Sequence, residues 1–146
     1  MNPRGGFFDL DDQGKPMSSG QSHAELSLRH IHVTTRMIHC FAIAYLLGRP
    51  GADVIIEHGM DFLWNRHRDM RNGGYFWSVG DDGPGEDSKQ AYGHAFVLLA
   101  ASSAKVAGHP DADRLLTDIS TVLLERFWGP NVCCFFREFH FGLALP

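Results

Sequence analysis

Gly48-Arg49-Pro50-Gly51-Ala52-Asp53 returns 60 positions later as Gly108-His109-Pro110-Asp111-Ala112-Asp113. Glycine with proline two residues on is a helix stop. The glycine takes the left-handed turn after the last helical residue, and the proline cannot continue the helix. A helix-length stretch precedes each stop, at about 34–47 and 88–107, and another follows, at about 52–66 and 111–127. The chain therefore reads as helical hairpins on a period of about 60 residues.

Other echoes support the repeat. Gly5-Gly6-Phe7-Phe8 recurs as Gly73-Gly74-Tyr75-Phe76, displaced by 68, and His39-Cys40-Phe41 recurs as His94-Ala95-Phe96, displaced by 55. Keeping the displacement of 60 puts a third copy at Cys133-Cys134-Phe135-Phe136, where the aromatics match and the glycines do not. After the Gly-Gly-aromatic segment each unit has an acidic turn, Asp11-Asp12-Gln13-Gly14 or Asp81-Asp82-Gly83-Pro84.

The hairpin helices differ in pattern. Leu115, Leu116, Ile119, Val122, Leu123 and Phe127 form a one-sided stripe at helical spacing, as do Ile56, Met60 and Leu63. Met37–Leu47 and Ala91–Ala101 are apolar nearly all round, which predicts burial on both sides. The expectation is an all-α chain, one domain over 1–146, with an inner layer of helices covered by an outer one. Two hairpins and the opening of a third cannot close a ring, since six pairs on this period need around 360 residues. The chain accordingly reads as a truncated, N-terminal portion of such a ring, with 129–146 as an atypical tail.

The 146 residues are 44% hydrophobic and 21% charged with a net charge of −4, which excludes disorder, collagen-like repeats and coiled coil. A mildly acidic balance gives no reason to expect nucleic acid or an anionic membrane as partner. The longest apolar run, Cys40 to Leu47, is far below the roughly 20 residues of a membrane span, and Met1 to Gly6 has no apolar leader core. Three cysteines, with Cys133 and Cys134 adjacent, make no disulfide framework, so a cytoplasmic setting is expected.

No metal and no cofactor are expected. His30-x-His32 and Glu57-His58 lack the spacing of a His-Glu-x-x-His site. Gly83-Pro84-Gly85 is neither a P-loop nor a dinucleotide fingerprint, and a Gly-x-Ser-x-Gly elbow is absent. More informative are Arg36 and Tyr92, near the starts of the two inner helices. An unpaired guanidinium buried there would be costly. In a ring of hairpins the inner helices run parallel, so Arg36, Tyr92, His32 and Trp77 would meet at one mouth suited to a neutral polyol such as a sugar. The competing reading pairs Arg36 with Asp11, Asp12 or Glu25 and makes Tyr92 a cap on a packed core. His39 and His94, inside apolar helices, read as core histidines with their hydrogen bonds satisfied.

Four segments in order carry a family likeness: Thr34-Thr35-Arg36-Met37-Ile38-His39-Cys40-Phe41-Ala42, Gly48-Arg49-Pro50-Gly51-Ala52, Gly73-Gly74-Tyr75-Phe76-Trp77 and Lys89-Gln90-Ala91-Tyr92-Gly93-His94-Ala95-Phe96. They resemble the N-acylglucosamine 2-epimerase superfamily, most of all its bacterial mannose isomerase branch, from Gly5 to about Trp128. The resemblance implies an (α/α)6 barrel and aldose–ketose isomerisation or C2 epimerisation of a sugar through an enediolate. It places the acid/base histidines on later inner helices, so no catalytic residue is assigned within this chain. Arg36 and Tyr92 carry over as sugar contacts, and His32, four before Arg36, as a contact at the pocket mouth. No metal or redox cofactor is implied.

Two readings from other classes stand beside it. One is a non-catalytic helical-repeat interaction module. The other is glycoside cleavage on the same barrel, which needs two carboxylates across one cleft, and nothing places Asp9, Asp11, Asp12, Asp81 and Asp82 that way. Missing hairpins would also leave Phe41–Leu47 and Phe96–Leu99 exposed and open to self-association.

Overall fold

The computed structural model describes residues 5–15, 28–129, 134–135 and 137–139. Two helical hairpins dominate. A short strand β1 (Arg29–His30) leads into α1 (Ile31–Leu46), which turns back as α2 (Ala52–Phe62) and widens into a π-helical turn, Leu63–His67. Strands β2 (Ser78–Val79) and β3 (Pro84–Glu86) follow. The second hairpin then repeats the first: β4 (Lys89–Gln90), α3 (Ala91–Val106), α4 (Ala112–Val122) and a π-helical turn at Leu123–Phe127. Three short strands complete the described chain: β5 (Trp128–Gly129), β6 (Cys134–Phe135) and β7 (Glu138–Phe139).

Every element of the first hairpin recurs 60 residues later with the same length. This corrects the displacement of 55 read from His39 and His94. His94 is the counterpart of Thr34, and Tyr92 is the counterpart of His32 rather than of Arg36. The strands keep the same step. β1 pairs antiparallel with β2, Arg29 to Val79 and His30 to Ser78. β4 pairs with β7, Lys89 to Phe139 and Gln90 to Glu138. The bridge of Arg68 to Tyr75 returns as Trp128 to Phe135 in β5 and β6. β5, β6 and β7 thus keep the strand pairing of the repeat among the described residues. Cys133 lies outside the described residues, as do Glu25 and the start through Arg4.

The glycine stops act as expected. Gly48 and Gly108 have φ of +76° and +81°, a region that costs other residues free energy. The Gly48 N–H donates to the Tyr45 carbonyl and the Arg49 N–H to the Ala44 carbonyl, both at 2.9 Å. Gly108 and His109 make the same pair of bonds to Lys105 and Ala104. These 6→1 and 5→2 bonds satisfy the orphan carbonyls that end each inner helix.

The core lies between α1 and α3, where Ile31, Ile38 and Ala42 meet Val97, Ala100, Ala101 and Ala104. The alanines let the two inner helices approach closely. Outside them, Ile56, Met60 and Leu63 cover α1, and Leu115 and Ile119 cover α3, the one-sided stripes in their expected place. Burial of the inner helices on both sides is not what the chain shows. Arg36, Cys40 and Ile43 form an exposed row on α1 that continues to Leu47 just past its end, and Tyr92, Ala95, Leu99 and Ser102 form one on α3. Of the stretches expected to be open, Ile43, Tyr45, Leu46, Leu47 and Leu99 are exposed, whereas Ala42 and Val97 are buried in the α1–α3 seam. Hydropathy counts apolar residues on a helix face but not the neighbours available to cover it.

Candidate functional site

Both inner helices begin at the same end of the molecule, and Trp77 stands between them. Its carbonyl accepts the Ile31 N–H at 2.9 Å at the start of α1. Its indole lies 5.5 Å from the His32 ring and 6.3 Å from the Tyr92 ring, centroid to centroid. One turn further in, the Arg36 guanidinium donates to the Tyr92 hydroxyl at 3.1 Å and covers the Phe96 ring at 4.9 Å. Arg36, Tyr92 and His32, chosen from sequence, therefore belong to one cluster. Among the described residues Arg36 has no carboxylate partner, so neither Asp11 nor Asp12 takes the place of Tyr92. Tyr92 is 52% exposed and does not cap a packed core.

Two members escaped the sequence reading. Asp9 accepts from His30 Nδ1 at 3.1 Å, and the His30 ring lies 5.5 Å from that of His32. Phe96 supplies the ring under Arg36 and packs edge-on against Tyr92 at 4.9 Å. The signal for Asp9 was present in the repeat, because it follows Gly5-Gly6 at the distance by which Trp77 follows Gly73-Gly74. Partial burial lowers the pKa of His32, and His30 and Arg36 add to the effect while Asp9 opposes it. A neutral imidazole beside an indole and a phenol, with one fixed cation, suits hydroxyl groups better than charges.

Buried hydrogen bonds hold the Trp77 segment. His94 has no exposed surface. Its Nδ1 bonds the Gln90 carbonyl at 2.8 Å and its Nε2 accepts the Tyr75 N–H at 3.0 Å, so it is the satisfied core histidine expected. His67, equally buried, bonds the Phe76 carbonyl through Nδ1 at 3.1 Å, and its own carbonyl accepts the Phe76 N–H at 2.8 Å. Burial drives both histidines down to a pKa of about 4. The Tyr75 hydroxyl donates to Asp118 at 2.6 Å, and the same carboxylate receives Arg68 at 2.6 Å. Burial pushes the Asp118 carboxyl up, but the bonds from Arg68 and Tyr75 outweigh it and hold the pKa below the usual carboxylate value. His39, half-buried, pairs with the Ser103 hydroxyl at 2.8 Å.

The strands ahead of the inner helices carry buried cations. Arg29 pairs with Asp81 at 2.8 Å and lies 5.3 Å over Phe62. Its counterpart Lys89 pairs with Asp69 at 3.2 Å and sits 3.5 Å over Phe76. A cavity of about 880 Å³ lies beside this second pair and is lined by Asp69, Arg71, Asn72, Phe76, Glu86 and Lys89, among others. Lys89 and Asp69 already match each other there, so volume alone does not make it the site. Among the described residues no group of three His, Cys, Asp or Glu side chains could hold a metal ion, and no helix is long and apolar enough to cross a membrane.

The profile of the N-acylglucosamine 2-epimerase (GlcNAc 2-epimerase) family matches residues 5–140. The chain belongs to this family. Within it the chain is 45% identical over 124 residues to the D-mannose isomerase of Pseudomonas cannabina pv. alisalensis, covering 85% of this chain and 28% of that protein. It is 41% identical over 128 residues to the D-mannose isomerase of Thermobifida fusca, covering 87% and 30%. A crystal structure of D-mannose isomerase superposes with a TM-score of 0.82 at 29% identity, over 94% of this chain and 34% of that one. The cellobiose 2-epimerase of Spirochaeta thermophila superposes at 0.80 and 25% identity, over the same two shares. The chain thus spans about a third of the length of the family members it matches. The family match runs through the stretch from 129 to 140 as well, in keeping with the strand pairing there.

Proposed function

We infer that this chain supplies the opening third of a closed (α/α)6 barrel and the first wall of its sugar pocket. The reaction is aldose–ketose isomerisation, D-mannose to D-fructose, with C2 epimerisation as the neighbouring chemistry. The observation that carries the reading is the Arg36–Tyr92 hydrogen bond at the shared mouth of α1 and α3, in a chain 45% identical to a D-mannose isomerase.

Isomerisation removes the proton on the carbon beside the carbonyl and puts negative charge on oxygen as an enediolate forms. A guanidinium fixed at that oxygen stabilises the developing charge with two aimed donors, and does so without reorganisation during the step. Arg36 has that role, held over Phe96 and against Tyr92. The Tyr92 hydroxyl bonds a neighbouring sugar hydroxyl. His32, kept neutral by burial, meets another at the rim. On this reading the acid and base are histidines of further inner helices, and no cofactor enters the chemistry. The setting is cytoplasmic. The exposed Ile43, Leu46 and Leu47 on α1 are where copies of the chain associate.

The purified 146-residue chain tests the reading directly. Titration calorimetry with D-mannose should show binding, and fructose release should be absent because acid and base are missing. Each such group contributes about 10² to 10⁴ in rate. Fructose formation that survives repurification, or no heat of binding at all, contradicts the reading.

A further inference from the structure

The strand before each inner helix pairs with a strand that follows the next aromatic segment, Tyr75-Phe76 or Phe135-Phe136, and the two copies match in register. Arg29–His30 pairs with Val79 and Ser78, and 60 residues on Lys89–Gln90 pairs with Phe139 and Glu138. At the first helical residue the Ile31 N–H donates to the Trp77 carbonyl at 2.9 Å, and the Ala91 N–H donates to the Arg137 carbonyl at 2.7 Å. Arg137 therefore occupies the place of Trp77 in the following repeat. Tyr92 occupies the place of His32, the residue whose ring lies 5.5 Å from Trp77. Asp9 comes one step earlier in the same series and reaches α1 through His30. Three successive loops thus put Asp9, Trp77 and Arg137, a carboxylate, an indole and a guanidinium, at the same step of the repeat.

Arg137 is exposed, and among the described residues its guanidinium has no ion-pair partner. A residue held by its backbone at the start of an inner helix, with its charge unmatched, is placed to meet a ligand rather than to brace the fold. Tyr92 thus has the Arg36 guanidinium on the neighbouring helix, and follows Ala91, whose N–H the Arg137 carbonyl accepts. An arginine fork offers two parallel donors, which fit a pair of adjacent hydroxyls; a lysine ammonium does not.

We propose that Arg137 is a further sugar-contacting residue: in the repeat position of Trp77, bonded through its carbonyl to the residue before Tyr92, it donates to hydroxyls of the aldose that Arg36 and Tyr92 hold. This rests on the sugar-pocket reading of Arg36 and Tyr92. It makes the mouth wider than the two inner helices of this chain and gives the loop after the Gly-Gly-aromatic segment a binding role in each repeat.

The test follows the side-chain Nε–H resonances of Arg36 and Arg137 while the full 146-residue chain is titrated with D-mannose. Both should move along one saturation curve. Arg137→Ala should weaken binding about three- to tenfold, as expected for loss of an exposed charged donor, and Arg137→Lys should recover only part of that. An Arg137 resonance that stays still while that of Arg36 moves, with Arg137→Ala binding like the parent, overturns the role of Arg137 and leaves the Arg36–Tyr92 pocket standing. If neither resonance moves and Arg36→Ala also binds like the parent, both inferences fall.

Discussion

The first and second hairpins have one backbone and two chemistries. Residues 29–67 and 89–127 agree element by element, down to the π-helical turn that closes each outer helix. The residues facing the mouth do not agree: His32 becomes Tyr92 and Arg36 becomes Phe96. The residues that hold the frame change in kind but keep their task. Arg29 and Lys89 are both buried cations over an aromatic ring with an aspartate partner. The partners come from different turns of the connection between the hairpins, Asp69 just after the π-helical turn and Asp81 between β2 and β3. The repeat thus fixes where side chains stand, and substitution at a few mouth positions turns one scaffold into unlike walls of a single pocket.

The largest expected effect tests the frame. Asp69 accepts the backbone N–H groups of Arg71 and Asn72 at 3.0 Å as well as Lys89. Asp69→Ala leaves the Lys89 ammonium buried and unpaired, and urea unfolding should show a loss of about 3–5 kcal/mol. Asp81→Ala should cost less, because Asp81 is 22% exposed and water can stand in beside Arg29. Equal losses would mean that the two cation sites are interchangeable after all.

Next in size is a pH effect that separates the hairpins. Burial holds His67 and His94 at a pKa of about 4 in the folded chain, against 6.5 when unfolded. Above pH 6.5 both states are neutral and stability is unaffected. As pH falls from 6.5 to about 4 only the unfolded chain takes up these protons, so stability drops, by up to about 3 kcal/mol for each histidine. The counterpart of His67 in the second hairpin is Phe127, which is buried without a titrating group. His67→Phe should therefore remove about one proton from the slope of stability against pH in that window. An unchanged slope would show that His67 is not neutral in the fold.

The smallest expected effect lies at the mouth. Tyr92→Phe removes one hydroxyl that Arg36 donates to and leaves the ring on Phe96 and Trp77. D-mannose binding should weaken by about three- to tenfold, near 1 kcal/mol, with the melting temperature unchanged. A shift in melting temperature without a change in binding would make Tyr92 part of the frame instead.

Much of this is legible in the sequence. The stops at Gly48 and Gly108 delimited α1 and α3 to within a few residues, because positive-φ glycine and a nearby proline act locally. The one-sided stripes on α2 and α4 named the outer layer. Arg36, Tyr92 and His32 came from the pairing of polar residues with the starts of apolar helices. Other features depend on which loops meet, and local pattern does not report that. Asp81 reads as a turn residue until the fold sets it against Arg29, Asp69 gives no signal until it meets Lys89, and Asp9 none until it meets His30. The full apolar surface of α1 promised burial on both sides, but Ile43 and Leu47 have no described neighbour to cover them. One clue was open to a reader of the sequence alone. Holding the displacement at 60 throughout aligns Arg29 with Lys89 and Trp77 with Arg137, and so marks both the frame and the mouth.

The sugar pocket is tested most directly by D-mannose calorimetry on the parent chain, Arg36→Ala and Arg36→Lys, with circular-dichroism melts on each. Arg36 makes no ion pair among the described residues and sits on the exposed face of α1, so its loss should leave the melt unchanged. Arg36→Ala should bind about tenfold to a hundredfold more weakly, and Arg36→Lys should stay well below the parent because a point charge cannot reproduce the fork. An Arg36→Ala chain that melts like the parent and binds D-mannose with the same affinity would contradict the assignment of this mouth as the sugar site.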